Sequence, residues 1–193
     1  MTRPSRFTGI VAAILLTAVA RSFSAQQATA NLPAQRSPIF GGAGGVSFSL
    51  SCGAGSVLTG LRGRADTFVF ALGITCRTVL ADGSLGPENV VGEIAGGTSG
   101  APIAAGCSTG QVLAGAEVRA VTYVQSIALH CGAWDSAKRR VTSRERQTIL
   151  IGHPAAGTAQ HRTRCEFDTQ PMTGIWGRAQ SLVDAVGFIC DEP

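Results

Sequence analysis

The chain of 193 residues carries 16 lysines and arginines against 12 aspartates and glutamates, a formal net charge of +4. Three of the arginines (Arg3, Arg6 and Arg21) lie in the first thirty residues, which contain no acidic residue. The 13 basic and 12 acidic residues that remain nearly cancel, so the composition argues against a nucleic-acid-binding protein.

The first thirty residues have the layout of a secretory signal peptide. Arg3 and Arg6 precede an apolar run, FTGIVAAILLTAVA, which small and polar residues follow. The run is shorter than the roughly 20 residues that a membrane-spanning helix needs, although an uncleaved anchor is the alternative. We predict a signal peptide over residues 1–30, cleaved after Ser24 or Ala30. The remainder, residues 31–193, is then a single secreted or periplasmic domain without a membrane span.

Three copies of one unit follow, each bounded by cysteines: CGAGSVLTGLRGRADTFVFALGITC, CSTGQVLAGAEVRAVTYVQSIALHC and CEFDTQPMTGIWGRAQSLVDAVGFIC. A glycine, an arginine and a valine recur at the same distances before the closing cysteine of every copy. They are Gly60, Gly115 and Gly174; Arg64, Arg119 and Arg178; and Val69, Val124 and Val183. This pattern predicts a threefold internal repeat over residues 41–76, 96–131 and 152–190.

Large and small residues alternate before each closing cysteine. In the first copy Leu72 and Ile74 alternate with Ala71 and Gly73, and the other two copies repeat the pattern in the same phase. A period of two predicts a strand with one packed face. The segment after each opening cysteine is also rich in strand-forming residues, so each unit is predicted to be a β-hairpin.

Six cysteines in an exported chain favour disulfides over metal ligands, and no metal site is expected because the sequence has no CxxC pair. Six cysteines allow 15 pairings. Threefold symmetry favours Cys52–Cys76, Cys107–Cys131 and Cys165–Cys190. Each closed loop of about 24 residues would contribute roughly 3 kcal/mol to stability on the chain-entropy model.

A glycine-containing turn precedes each hairpin: GGAGG (41–45), GGTSG (96–100) and GHPAAG (152–157). A short strand-like segment precedes each turn, and almost nothing follows the third hairpin. We therefore predict that residues 35–40 supply the edge strand that the C-terminal sheet lacks. This closure would bring Gly41 and Gly42 beside the third repeat.

Two further features have a structural interpretation. Arg64, Arg119 and Arg178 occur in every copy, so we expect their guanidinium groups to donate hydrogen bonds to turn carbonyls rather than to bind a ligand. The stretch around Ser99, GGTSGAP, resembles the nucleophile loop of serine proteases. The three histidines (His130, His153 and His161) leave it without a base in the N-terminal half. We predict no catalytic residue, no enzyme activity and no cofactor.

The stretches GGAGGVSFSL and MTGIWGRAQSLVDAVGFI resemble the glycine-turn and V-D-A-I-G-F patterns of jacalin-related lectins. The cysteine-bounded triple repeat is similar to the vitelline membrane outer layer protein I family. The resemblance implies an all-β protein with the β-prism I fold. In that fold three antiparallel Greek-key sheets surround a pseudo-threefold axis.

In jacalin-type sites a sugar is held by an aspartate loop and by a glycine of the closing turn. The resemblance places the aspartate at Asp184, with Ser181 and Leu182 in its loop, and the turn at Gly41 and Gly42. It implies a secreted, lectin-like, non-catalytic protein whose partner is a carbohydrate or glycoconjugate. The alternative is a structural or coat-associated protein without a sugar site. The sequence leaves the glycan and the oligomeric state open.

Overall fold

The computed structural model describes residues 35–155, 158–191 and 193, without the side chains of residues 144–148. The predicted signal peptide and its cleavage sites after Ser24 and Ala30 lie outside these residues. The described residues form strands and no helix. Accordingly, no helix in the described part of the chain is long and apolar enough to cross a membrane.

Fourteen strands build the described structure. They are β1 (Gln35–Arg36), β2 (Phe40–Gly41), β3 (Val46–Ser51), β4 (Ser56–Ala65), β5 (Val69–Val79), β6 (Leu85–Val90), β7 (Ala95–Gly96), β8 (Ala101–Gly106), β9 (Gln111–Ala120), β10 (Val124–Asp135), β11 (Arg140–Gly152), β12 (Gln160–Arg164), β13 (Gly174–Ala179) and β14 (Val183–Cys190).

The strands form three antiparallel sheets, each centred on one of the predicted hairpins. Sheet 1 has the order β6-β5-β4-β8, with β7 also pairing β5. Sheet 2 has the order β11-β10-β9-β12. Sheet 3 has the order β1-β14-β13-β3, with β2 also pairing β14. The predicted all-β architecture of three antiparallel sheets is therefore confirmed.

Each sheet takes an outer strand from a different sequence repeat than its central hairpin. The strand β3, which follows the first glycine turn, pairs with β13 of the third repeat. In the same way β8 pairs with β4, and β12 pairs with β9. The glycine turns are therefore the points at which the chain passes from one sheet toward the next.

The N-terminal segment closes the C-terminal sheet as predicted. In β1, Gln35 lies opposite Cys190 and Arg36 lies opposite Ile189. In β2, Gly41 lies opposite Ala185. These pairings cover β14, whose backbone groups would otherwise form an exposed edge available for aggregation.

The core lies between the three sheets, and the period-two pattern supplies its side chains. Leu72 and Ile74, Ile127 and Leu129, and Val186 and Phe188 are all 0% exposed. They belong to one hydrophobic cluster with residues from every sheet. Burial of these side chains is the main stabilising contribution to the fold, at about 1.5–3 kcal/mol for each large apolar side chain.

The three disulfides join neighbouring sheets in a ring. The pairs are Cys52–Cys76, Cys107–Cys131 and Cys165–Cys190, as threefold symmetry predicts. In each pair the first cysteine directly follows an outer strand, and the second lies in the central hairpin of the adjacent sheet. The three bonds therefore connect sheet 3 to sheet 1, sheet 1 to sheet 2, and sheet 2 to sheet 3.

Replacing both Cys107 and Cys131 with serine should lower the free energy of unfolding by about 3 kcal/mol, because the unfolded chain regains the entropy of an open 24-residue loop. Urea denaturation of the variant and the wild type measures the difference. Reducing agent should then destabilise the variant less than the wild type, since one bond has already gone. A loss below about 1 kcal/mol would contradict the expectation.

Candidate functional site

The first glycine turn, residues 41–45, lies against the loop that joins β13 to β14. The amide of Gly42 donates a 2.9 Å hydrogen bond to the main-chain carbonyl of Asp184. Gly41 has a φ of +132°, and a Cβ at this position would collide with the same carbonyl. The close approach of turn and loop therefore requires glycine at position 41.

The carboxylate of Asp184 faces the second half of this turn. A Cβ on Gly44 would collide with Oδ1, and one on Gly45 would collide with Oδ2. The residue is only 6% exposed, yet no described residue donates a hydrogen bond to its carboxylate. Buried polar groups are normally hydrogen-bonded, and a carboxylate is an acceptor with several free positions. Asp184 is thus equipped to accept hydrogen bonds from a ligand.

Arg178 holds the turn by hydrogen bonds to its carbonyls. Its Nε donates to the carbonyl of Gly44 at 2.7 Å, and its Nη2 donates to the carbonyl of Gly45 at 2.8 Å. Each carbonyl belongs to a residue that also packs against the Asp184 carboxylate. Arg178 therefore positions the backbone that forms one side of the candidate site.

The other two arginines show where the repeat is kept and where it changes. Arg64 donates to the carbonyl of Ser99 in the second turn at 3.1 Å, which matches the bond from Arg178 to Gly44. The Nη2 of Arg119 donates to the side chain of Gln160, which lies opposite it, at 2.8 Å. The turn carbonyl expected for Arg119 belongs to residue 157, outside the described residues.

The same architecture occurs at the two equivalent positions of the other repeats. The carbonyl of Phe70 accepts a hydrogen bond from Gly97, and the Phe70 ring lies against Gly100. The carbonyl of Gln125 accepts one from His153, and its side chain accepts another from Thr158. The first position holds an apolar ring and the second an amide that already has a donor. Asp184 alone brings a carboxylate to this arrangement.

The loop residues predicted for the site lie beside it in different ways. Ser181 is exposed, and its backbone contacts Gly97 of the second glycine turn. The carbonyl of Leu182 accepts a hydrogen bond from Gln180 within the loop. The structure thus brings Asp184 together with Gly41 and Gly42, as predicted, while Ser181 contacts a neighbouring turn.

The hairpin loop of the second repeat borders the first glycine turn on its other side. A Cβ on Gly42 would collide with the carbonyl of Thr122. The next residue, Tyr123, is 37% exposed, and its ring meets the ring of Phe68 edge-on at 6.1 Å. An aromatic surface therefore lies in the loop next to the site, although the loop of Asp184 itself has none.

Gly44 and Gly45 are the site residues that the sequence reasoning missed. The sequence pointed to Gly41 and Gly42, which contact the backbone of β14. The Asp184 carboxylate instead lies against Gly44 and Gly45. The signal was present in GGAGG, where Gly44 stands at the position that Ser99 holds in the GGTSG turn. Within the described residues, no group of three or more His, Cys, Asp or Glu side chains could hold a metal ion.

Comparison with solved structures identifies the fold. A Malaysian banana lectin is 19% identical, with a TM-score of 0.56 over 83% of this chain and 99% of its own. A mannose-binding jacalin-related lectin from Ananas comosus is 17% identical, with a TM-score of 0.55 over 83% of this chain and 99% of its own. This chain has the β-prism I fold. Calsepa lectin in complex with a biantennary N-glycan is also similar, at 15% identity and a TM-score of 0.55 over 83% of this chain and 97% of its own.

Sequence comparison adds no closer relative to this β-prism. No protein-family model matches the chain, and no curated protein matches it significantly. Identities below one fifth establish the arrangement of the strands and leave the activity of the β-prism to be argued from its own residues.

Replacing Arg178 with lysine should loosen the first glycine turn, because one ammonium group cannot donate to both carbonyls in the geometry of a guanidinium. We expect the amide of Gly42, which donates to the carbonyl of Asp184, to exchange with solvent at least about tenfold faster, as loss of a hydrogen bond to a charged group costs about 1.5–3 kcal/mol. Hydrogen exchange followed by NMR measures this. Arg64→Lys is the matched control, and it should affect the amide of Gly97 in the second turn instead. Unchanged exchange at Gly42 in Arg178→Lys would contradict the positioning role.

Proposed function

We propose that the protein is an exported, lectin-like β-prism that binds a carbohydrate without catalysis. The observation that carries the proposal is the Asp184 carboxylate, buried beside the first glycine turn and without a donor among the described residues. Sugar hydroxyls donate the hydrogen bonds that such a group lacks. The structural similarity to lectins, one named as mannose-binding and one in complex with an N-glycan, supports the same class of ligand.

The site has the components that recognition of a sugar hydroxyl pair requires. Asp184 supplies an acceptor, and the absence of side chains at Gly44 and Gly45 allows its carboxylate to lie directly against the turn. Ser181 adds an exposed hydroxyl, and Tyr123 adds an exposed aromatic ring in the neighbouring loop. Together they suit a small polar ligand at the protein surface.

The proposed location is outside the reducing cytoplasm, either secreted or in a periplasm. Three disulfides connect the sheets, and such bonds persist in oxidising compartments. The predicted signal peptide at residues 1–30 supports export. A glycan-binding protein in either compartment would meet surface or envelope polysaccharides.

A structural or coat-associated role is the second candidate. It is favoured by Ser181 and Leu182, which provide no aromatic surface in the loop of Asp184, and by the covalent ring of sheets, which suits a durable building block. This protein would use the same fold without binding a free sugar.

A glycan array probed with the purified, disulfide-bonded protein tests the proposal. We expect binding to a restricted set of glycans that share one terminal sugar, and competition by that free sugar. An absence of binding across a broad array, by protein whose thermal unfolding is cooperative, would favour the structural role. Release of a shortened glycan from the array surface would contradict a non-catalytic function.

A further inference from the structure

The outer face of sheet 3 carries a groove that the proposed sugar site does not use. It has a volume of about 460 Å³ and is lined by Arg36, Ser47, Ser49, Trp176 and Arg178, among others. This volume is within the range of pockets for small ligands and exceeds that of a single sugar ring. The groove therefore has the size for a ligand of one or two sugar units.

Strand register explains why a groove forms here. Trp176 lies opposite Gly187 on β14 and opposite Ser49 on β3. A Cβ on Gly187 would collide with the indole Nε1, so the ring extends over a position that has no side chain. The guanidinium of Arg36 lies over the indole, 5.1 Å from the ring centroid. Trp176 and Arg36 thus stack on each other and together line the groove.

Comparison of the repeats shows that the architecture does not need this tryptophan. The equivalent residue of sheet 1 is Arg62, whose Nη2 donates to the carbonyls of Val91 at 2.6 Å and Gly92 at 3.2 Å. The equivalent residue of sheet 2 is Glu117, which pairs with Arg162 at 3.3 Å. Both of these side chains have polar partners within the protein, although the Nε of Arg62 is buried without one.

The polar groups of the groove are mainly donors. The Nε1 of Trp176 is enclosed and has no hydrogen-bond partner among the described residues. Arg36 is exposed and forms an ion pair with no described carboxylate. The Nη1 of Arg178 makes only a long, 3.4 Å bond to the hydroxyl of Ser47. Guanidinium groups cannot accept hydrogen bonds, so the ligand has to supply the acceptors, while the enclosed indole N–H is out of the reach of a ligand.

One acid, Asp191, interacts with Arg36 through its charge. Burial raises the pKa of Asp191, while Arg36 and a backbone hydrogen bond involving Gln35 lower it by smaller amounts. The two charges attract each other without forming an ion pair, so an anionic ligand would compete with Asp191 for Arg36.

We propose that this groove binds the carboxylate of an acidic saccharide through Arg36 and Arg178, with the ring of Trp176 as one wall. The choice of a saccharide rests on the proposed function, whereas the preference for an anion rests on the groove itself. Arg178 lines the groove and also holds the turn at Gly44 and Gly45. Through Arg178 the groove therefore adjoins the turn that lies against Asp184.

Binding of tetragalacturonate and of its methyl ester, measured by titration calorimetry at low and high salt, tests the proposal. The ester keeps the sugar and removes the charge. We expect the acid to bind at least about tenfold more tightly, with a difference that shrinks as salt screens the charges. Arg36→Gln and Trp176→Ala should both reduce binding of the acid, since the first removes the charge and the second removes the ring that forms one wall of the groove.

The control is Arg162→Gln, which removes an exposed arginine from sheet 2 and should leave binding unchanged. Equal binding of acid and ester, no binding of either, or binding insensitive to both Arg36→Gln and Trp176→Ala would overturn the proposal. Equally tight binding of a tetraglutamate peptide would overturn the assignment to a saccharide. Asp184→Asn separates this inference from the proposed function, because it should weaken binding of neutral sugars and preserve the preference for the acid.

Discussion

Replacing Asp184 with asparagine is expected to weaken glycan binding by about ten- to a hundredfold while leaving the protein folded. The substitution keeps the size of the side chain and removes the charge that strengthens each hydrogen bond from a sugar hydroxyl. A hydrogen bond to a charged group contributes about 1.5–3 kcal/mol, which corresponds to this change in affinity. Titration with the sugar identified on the array measures the effect.

Gln125→Asn is the matched control, because Gln125 occupies the equivalent position in the second repeat. It should leave glycan affinity unchanged, since its side chain already accepts a hydrogen bond from Thr158. Thermal unfolding of both variants checks that the fold is intact. Full affinity in folded Asp184→Asn would show that the binding site lies elsewhere on the protein.

Replacing Phe188 with alanine is expected to lower the free energy of unfolding by about 3–5 kcal/mol. Phe188 lies in β14 opposite Ile175, and its side chain is 0% exposed in the cluster that the three sheets share. Truncation removes its buried apolar surface and leaves a cavity, and the disulfides that join the sheets limit how far the walls can move inward. Urea denaturation of variant and wild type measures the loss.

The control for this variant is Phe167→Ala, the same change at a residue that is 64% exposed. We expect a change within about 0.5 kcal/mol, as is usual for surface substitutions. Similar losses in the two variants would contradict the view that the shared core, and not aromatic content in general, stabilises the protein. A small loss in Phe188→Ala alone would show that the core can collapse around the cavity.

Much of the fold could be predicted because its signals are local and occur three times. The alternation of Leu72, Ile74 and Cys76 with small residues sets which side chains face the core, since side chains alternate across a strand. Repetition in the same phase made this interpretation secure. Chain closure was also predictable. The third hairpin needed an outer strand, and residues 35–40 precede the first repeat without a hairpin of their own to pair with.

The candidate site was predicted in part. Asp184 and the approach of Gly41 and Gly42 follow from the resemblance together with closure. The contact of the carboxylate with Gly44 and Gly45 depends on how the turn bends after Gly42, which involves backbone angles that residue identity alone does not specify. The bond from Arg119 to Gln160 likewise depends on a strand register between distant segments.

By itself, then, the sequence determined three hairpins, the composition of the core and the three cysteine pairs. Each of these follows from short-range spacing and from symmetry among the repeats. Only the tertiary structure decided that β3, β8 and β12 each join a different sheet from the hairpin that follows them. As a result, the disulfides connect different sheets. The tertiary structure also decided that Trp176 and Arg36 share a groove. These features depend on packing between segments far apart in the chain. The free energy that favours one strand pairing over another is a sum over many core contacts, so no single residue in the sequence reveals it.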